Sequence, residues 1–317
     1  MSNGKRILIS GGFGFLGNNL YRYLRQNMPN DIEVLLRFRS ATYDLTNAEQ
    51  AKIAVRVAKP DVVIHLAALC GGIGANMMNP ATFWRHNTLM GVNILDACAE
   101  YKVPHLITMG TVCSYGQHAK TPFHEDQLFT EWPEITNRPY GVAKINILEG
   151  ARAYQEQFGL KSTYLIPTNL FGPFDNFDLD SSHVIPAMIR KMHEAVIWNK
   201  PYIDLWGDGT PTRDFLYVDD LCRAIMMCIS NPITGPYNLG SGHEISMAGL
   251  AEAIAAVVGY KGDLVWNLSM PNGQMRRLVG FDKIKKDLGW EPKTHLVDGI
   301  GQTYRWFLRK DMDSPET

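Results

Sequence analysis

The chain reads as an α/β protein, a doubly wound parallel sheet with a smaller C-terminal α/β region. Three observations predict this class. Short β-branched runs alternate with longer helical stretches through the first part of the chain, as strands and crossover helices do. The first such run enters a turn with glycines at 11, 14 and 17. Beyond Asn169 the alternation weakens into loops, as expected where a second structural unit begins.

Arg6–Ser10, Glu33–Leu36, Asp61–His65 and His105–Met109 are compact apolar runs, the pattern of strands buried on both faces. Helical stretches near 15–27, 47–58 and 80–101 separate them. That order predicts parallel strands joined by right-handed crossovers. Arg138–Lys144 opens a further helix, whose apolar residues Ala143, Ile147, Leu148, Ala151, Tyr154 and Phe158 recur at helical spacing. Lys161–Ile166 reads as another strand, and a helix is expected near 184–197. Leu216–Val218 reads as a strand returning to the sheet, with Asp219 or Asp220 capping the helix after it. Helices near 247–258 and 297–309 complete the chain. The expected division is 1–167 for a dinucleotide-binding Rossmann domain with a returning segment near 213–240, and 168–317 mainly for substrate binding.

Composition narrows the function. The 317 residues carry 45% hydrophobic and 20% charged side chains, ordinary for a globular protein. With 31 basic and 32 acidic residues the formal charge is -1, which gives no general attraction to nucleic acid or anionic membrane. Any anion must therefore be held by local cations. No apolar run reaches the ~18 residues of a membrane span, and Met1–Arg6 lacks a signal-peptide pattern, so a cytoplasmic protein is expected. Five cysteines without Cys-x-x-Cys spacing predict free thiols and no metal site.

In Gly11-Gly12-Phe13-Gly14-Phe15-Leu16-Gly17, the strand–turn–helix context suits a dinucleotide. Glycine admits the pyrophosphate to the backbone, and the helix start offers unpaired N–H groups. The bland alternative is a tight turn with no ligand. At the end of the second strand, where a carboxylate would bind the ribose of NAD, stand Arg37 and Arg39. Two guanidiniums suit the 2′-phosphate of NADPH; if they are merely solvated, NAD remains open. Tyr140 and Lys144 lie one helical turn apart. An ammonium beside a phenol favours the phenolate, so the expectation is a tyrosine tuned toward neutrality as a proton donor to a carbonyl oxygen. The same spacing arises by chance on many helices.

Together the glycine turn, the small residues of His65-Leu66-Ala67-Ala68, Thr111 after the fourth strand and Tyr140-x-x-x-Lys144 resemble the extended short-chain dehydrogenases/reductases that act on nucleotide sugars. Gly71–Asn76, Pro167–Phe177 and Ser181–Ala187 narrow the resemblance to the GDP-L-fucose synthase family, from the glycine turn nearly to the C-terminus. That family inverts carbons 3 and 5 of a GDP-linked 4-keto-6-deoxy sugar and then reduces carbon 4 with NADPH. The resemblance implies that Thr111 and Tyr140 hold the substrate oxygen, with Cys113 and His183 as the proton-transfer pair. It places Asp44 near adenine, and Leu66, Ala67, Ala68, Pro167, Asn169, Leu170 and His183 beside the cofactor. It assigns Gly72, Asn169, Val184, Lys191, Trp206, Arg213 and Arg276 or Arg277 to the GDP-sugar, and it implies a homodimer through exposed helix faces.

The residue types make chemical sense beside the resemblance. A hydrogen next to a ketone becomes removable once the carbonyl oxygen is stabilised as an enolate. Thiol and imidazole have ordinary pKa values close enough to neutrality to exchange that hydrogen as a proton. Inversion needs groups on opposite faces, one to remove the proton and one to return it. The alternatives are a GDP-4-keto-sugar reductase, acting on a deoxyhexose or deoxyheptose without epimerisation, and, more distantly, a non-enzymatic nucleotide sensor on the same fold.

Overall fold

The computed structural model describes residues 4–28, 30–179, 181–270 and 272–312. The first half runs β1 (Lys5–Ser10), α1 (Phe15–Asn27), β2 (Ile32–Phe38), α2 (Ala48–Ala58), β3 (Val62–His65), α3 (Ile73–Met78), α4 (Pro80–Glu100), β4 (His105–Met109), α5 (Arg138–Phe158) and β5 (Lys161–Pro167). The second half runs β6 (Asn169–Phe171), α6 (Val184–Ile197), β7 (Tyr202–Trp206), β8 (Thr212–Tyr217), α7 (Val218–Ser230), β9 (Gly235–Leu239), β10 (Glu244–Ser246), α8 (Met247–Val258), β11 (Asp263–Asn267), β12 (Arg276–Arg277), α9 (Asp282–Leu288) and α10 (Leu296–Met312).

Six parallel strands form the central sheet in the order β2-β1-β3-β4-β5-β9. The chain crosses outward from β1 to β2 and back to β3, so a crevice opens beyond the C-terminal ends of β1 and β3, where ligands of such sheets bind. One apolar core packs α2, α4 and α5 on the sheet through Val55, Leu95, Leu106 and Leu148; another packs α1 and α7 through Ile9, Leu20, Leu24 and Ile225. Each such side chain contributes roughly 1.5–3 kcal/mol of burial. The third core gathers Ile189, Phe215, Leu250 and Ile300 from α6, β8, α8 and α10.

Local chemistry fixes several boundaries. Asn47 accepts the Gln50 N–H to start α2, and Ser246 accepts that of Gly249 to start α8. Helix α5 stops at Gly159, whose φ of 73° is the left-handed conformation that glycine adopts most readily.

Two expectations need correction. The segment containing Leu216 and Tyr217 does not return to the central sheet: β8 pairs with β6, β10 and β12 in a second sheet, and β9 joins β5 instead. The reason is packing, because Phe215 and Tyr217 are committed to the third core while Tyr237 and Leu239 are buried against the central one. Asp219 and Asp220 also do not cap α7, whose cap is Tyr217; both lie in its first turn. Asp219 pairs with Arg22 of α1 at 2.6 Å, and Asp220 accepts the N–H groups of Lys293 and Thr294, each at 2.9 Å. Among the described residues, no helix is long and apolar enough to cross a membrane.

Candidate active site

A cleft of about 1060 Å3 runs from the glycine turn, past the ends of β3 and β4, to the start of α6. Its first wall is the turn itself. Gly11 has φ of +65°, and a Cβ there would stand 2.7 Å from Ala67 N. The turn is thereby seated against Leu66, Ala67 and Ala68, all of which line the cleft. Ser10 Oγ accepts the Ala67 N–H at 3.3 Å and lies 2.8 Å from His65 Nδ1, fixing the two strand ends together. No side chain caps α1 and no acidic residue stands in its first turn. Its first N–H groups, edged by Phe13, Gly14, Phe15 and Leu16, thus face a space suited to a pyrophosphate. The turn therefore fits a dinucleotide.

The two arginines at the end of β2 part company. Arg37 donates to Gly12 O at 3.3 Å and to Asn18 Oδ1 at 2.9 Å, with its guanidinium 4.1 Å from the ring centres of both Phe13 and Tyr21. It braces the turn from outside the cleft. Arg39 is exposed and lines the cleft, leaving it as the cation able to meet a 2′-phosphate. Asp44 also lines the cleft, its Oδ1 engaged by the Thr46 N–H and hydroxyl.

Tyr140, on the first turn of α5, presents its hydroxyl 3.4 Å from Cys70 Sγ. Burial is the first cause and Cys70 the second that hold this phenol well above its usual pKa. Burial likewise lowers Lys144, which is 3% exposed and whose ammonium has no hydrogen-bond partner among the described residues. The expected lowering of Tyr140 by Lys144 is thus corrected: one helical turn brings the two residues to one wall, but burial, with Cys70, moves the phenol the other way.

Opposite the tyrosine, Thr111 Oγ1 accepts the Cys113 N–H at 3.2 Å, capping a short 3-10 turn. Val112 and Ser114 point into the protein, and Ser114 donates to Gly141 O at 3.0 Å on α5. That alternation leaves Cys113 on the cleft, with Arg277 donating toward its Sγ from 3.6 Å. His183 closes the far end as the N-cap residue of α6, yet makes no capping hydrogen bond. Its Nδ1 lies 3.8 Å from Asp175 Oδ1. The Asp175 carboxylate beside it raises the His183 pKa, against an opposing burial effect.

Gly72, Pro167, Asn169 and Leu170 also line the cleft. Val184, Lys191, Trp206, Arg213 and Arg276 do not. Lys191 donates to Asp204 O at 3.2 Å, and Trp206 is 61% exposed on β7. Arg213 donates to Thr212 O at 2.8 Å, and burial first, then Arg277, lowers its pKa to about 10. Arg276 is held by Glu244 at 2.6 Å, so of the two adjacent arginines it is Arg277 that reaches the cleft. Cys70, His86, Asn137 and Asp175 line it too and were not assigned from sequence. Cys70 had a signal, its position next to Gly71-Gly72 after the third strand; Asp175 was inside Pro167–Phe177 but carried no role. Among the described residues, no group of three or more His, Cys, Asp or Glu is placed to hold a metal ion.

Residues 7–240 match the NAD dependent epimerase/dehydratase family. The chain belongs to that family. Within it, the GDP-L-fucose synthase of Sinorhizobium fredii is 39% identical over 313 residues, covering 98% of each chain. Among solved structures, a GDP-L-fucose synthetase from Naegleria fowleri bound to NADP superimposes with a TM-score of 0.88 at 27% identity, covering 100% of this chain and 96% of that one. A GDP-6-OMe-4-keto-L-xylo-heptose reductase from C. jejuni gives 0.89 at 27% identity, covering 98% and 99%. The matched residues take in the glycine turn and reach all six strands of the central sheet.

Proposed function

We propose that the protein is an NADPH-dependent epimerase-reductase that converts a GDP-linked 4-keto-6-deoxy sugar to a GDP-deoxy sugar, inverting carbons 3 and 5 and reducing carbon 4. One observation carries this reading: Cys113 and His183 line the same cleft as Thr111, Tyr140 and Lys144. Reduction alone needs no such pair. The 39% identity to a GDP-L-fucose synthase, against 27% to the heptose reductase, favours the same choice.

The glycine turn, Arg39 and Lys144 hold the cofactor, which when bound supplies the hydride for carbon 4. Thr111 and Tyr140 hydrogen-bond the ketone oxygen, so that removing a neighbouring proton leaves a stabilised enolate. Cys113 takes the proton from one face and His183 returns one from the other, giving inversion. During reduction Tyr140 gives its proton to the carbon-4 oxygen, and the positive charge of Lys144 stabilises the tyrosinate left behind. Arg277 serves both the thiol and the diphosphate end. Trp84 and Val92 of α4 and Phe158 of α5 are large exposed apolar residues, supporting a homodimer through this helix pair. The five free cysteines suit the reducing cytoplasm.

The test is product labelling. In deuterated water with NADPH and GDP-4-keto-6-deoxymannose, the protein should yield product deuterated at carbons 3 and 5, and Cys113→Ser should abolish that label. Reduction without deuterium at either carbon would reassign the protein as a simple carbon-4 reductase.

A further inference from the structure

Asp175 occupies an unusual position for a carboxylate. It is 4% exposed, its Oδ1 accepts the Asn176 N–H at 2.8 Å, and its Oδ2 is buried with no hydrogen-bond partner among the described residues. A buried carboxylate with an idle oxygen is unfavourable unless it serves a nearby cation or donor. The backbone is shaped to put it there. Gly172 packs so closely on Val218 Cγ1 that no side chain fits, and Phe174 adopts φ of 66°, a left-handed conformation unfavourable for a non-glycine residue. Strain of this kind persists where the surroundings hold it, and here the Phe174 ring is held against Trp306 at 5.0 Å between centres.

The group in reach is His183. At 3.8 Å its Nδ1 is beyond a proper hydrogen bond, but a shift of under about 1 Å would make one. Among the described residues nothing else claims the ring: the side chain is 54% exposed and caps no helix N–H.

We propose that Asp175 is the positioning residue for His183, accepting its Nδ1–H so that Nε2 carries the transferable proton toward the sugar. This rests on the reading of His183 as the proton donor in epimerisation. In the step, the Nε2–H bond breaks and a C–H bond forms at the enolate carbon. The enolate electrons supply that bond while the C=O reforms. Imidazolium becomes neutral imidazole, and Asp175 remains a carboxylate throughout. The other titratable groups lining the cleft are Arg39, Tyr43 and Asp44 after β2, Cys70 from the loop after β3, His86 from α4, Cys113 from the turn after β4, Tyr140 and Lys144 from α5, and Arg277 from β12. Asp175 is the anion among these that acts on the His183 ring.

The experiment compares Asp175→Asn, Asp175→Glu and His183→Asn in deuterated water with NADPH and GDP-4-keto-6-deoxymannose, and measures the ratio of inverted to directly reduced product. Asp175→Asn should lower that ratio roughly 10- to 100-fold, the scale of losing a group that orients a general acid. NADPH affinity should stay within about twofold, and Asp175→Glu should recover part of the loss. Nitrogen NMR of labelled histidine in the unmodified protein should find the His183 Nδ1 protonated and the ring still cationic above its ordinary midpoint of about 6.5. An unchanged ratio in Asp175→Asn while His183→Asn has lost inversion would overturn the proposal and leave the reading of His183 standing. Normal inversion by His183→Asn would overturn both. Loss of NADPH affinity in parallel with inversion would show a structural role and sink the proposal. Should Asp175→Asn not fold, a ring with bare Nδ1 in the unmodified protein refutes it.

Discussion

Glycines 14 and 17 allow the fit of the turn to itself to be separated from its fit to a ligand. A Cβ placed on Gly17 would stand 2.5 Å from Gly12 Cα and 2.6 Å from the Gly12 carbonyl carbon, with Gly11 O nearer still. Carbon atoms pack at roughly 3.5–4.0 Å, and these neighbours are backbone, so no rotamer change relieves the overlap. Overpacking of this kind costs typically ~1–3 kcal/mol. The gain in helix propensity, about 0.8–1.0 kcal/mol from glycine to alanine, offsets part of that. Because the overlapping atoms are fixed backbone, the cost lies at the upper end, and Gly17→Ala should lose about 1–2 kcal/mol in urea denaturation followed by tryptophan fluorescence, and bind NADPH at least tenfold more weakly because α1 is displaced from the turn. Gly14 differs. Its nearest contact would be 3.4 Å, and its φ of -79° and ψ of -176° suit alanine. Gly14→Ala should cost about 1 kcal/mol or less, the loss of a preferred helix cap. Its methyl faces the cleft, so NADPH should nevertheless bind at least tenfold more weakly by fluorescence titration. An unchanged urea midpoint in Gly17→Ala, or unchanged NADPH affinity in Gly14→Ala, would refute the reasoning.

Tyr140→Phe keeps the ring on α5 and removes only the hydroxyl beside Cys70, so turnover should fall by roughly 100- to 10,000-fold with NADPH affinity little altered. Near-normal turnover would remove Tyr140 from the mechanism. Stability should fall on acidification below pH 6.5. Burial holds His65 at about 3 and His105 at about 4, so the unfolded chain binds their protons first as pH drops, and each unit of difference is worth about 1.4 kcal/mol. Asp214, raised by burial to about 6, acts in the opposite sense, since the folded chain binds its proton first. Two histidines against one carboxylate leave a net loss between about pH 6 and 4. Urea midpoints across that range should show it, with a shallower slope in His65→Asn.

The sheet was legible because its inner strands β3 and β4 are buried throughout, so their centres read as apolar runs, as in Val62–Ile64. The glycine turn and the α5 pair were legible because one strand end or one helical turn fixes the neighbours involved. β8 was misread because its apolar residues serve two cores, Leu216 toward the central sheet and Phe215 away from it, and a residue string does not say which core claims a strand. The relative roles of Arg37 and Arg39 depended on Phe13, Tyr21 and Asn18 gathering around one guanidinium, contacts reaching 24 residues along the chain. Tyr140 was mistuned because spacing reveals a partner but not how little water surrounds both groups.

The last strand of the central sheet has a consequence for how the protein is made. Because β9 follows β6 to β8 and α6 and α7 in the chain, β5 has no outer neighbour until nearly half of the later residues exist. During synthesis the growing polypeptide therefore carries an open β5 edge, a template for mispairing with another nascent chain. Cutting the gene after Pro167 would make that transient exposure permanent. The two halves are then not exchangeable modules: grafting a different sugar-binding half onto this cofactor half succeeds only if the graft brings its own Gly235–Leu239 to close the sheet, together with an α7 to cover α1.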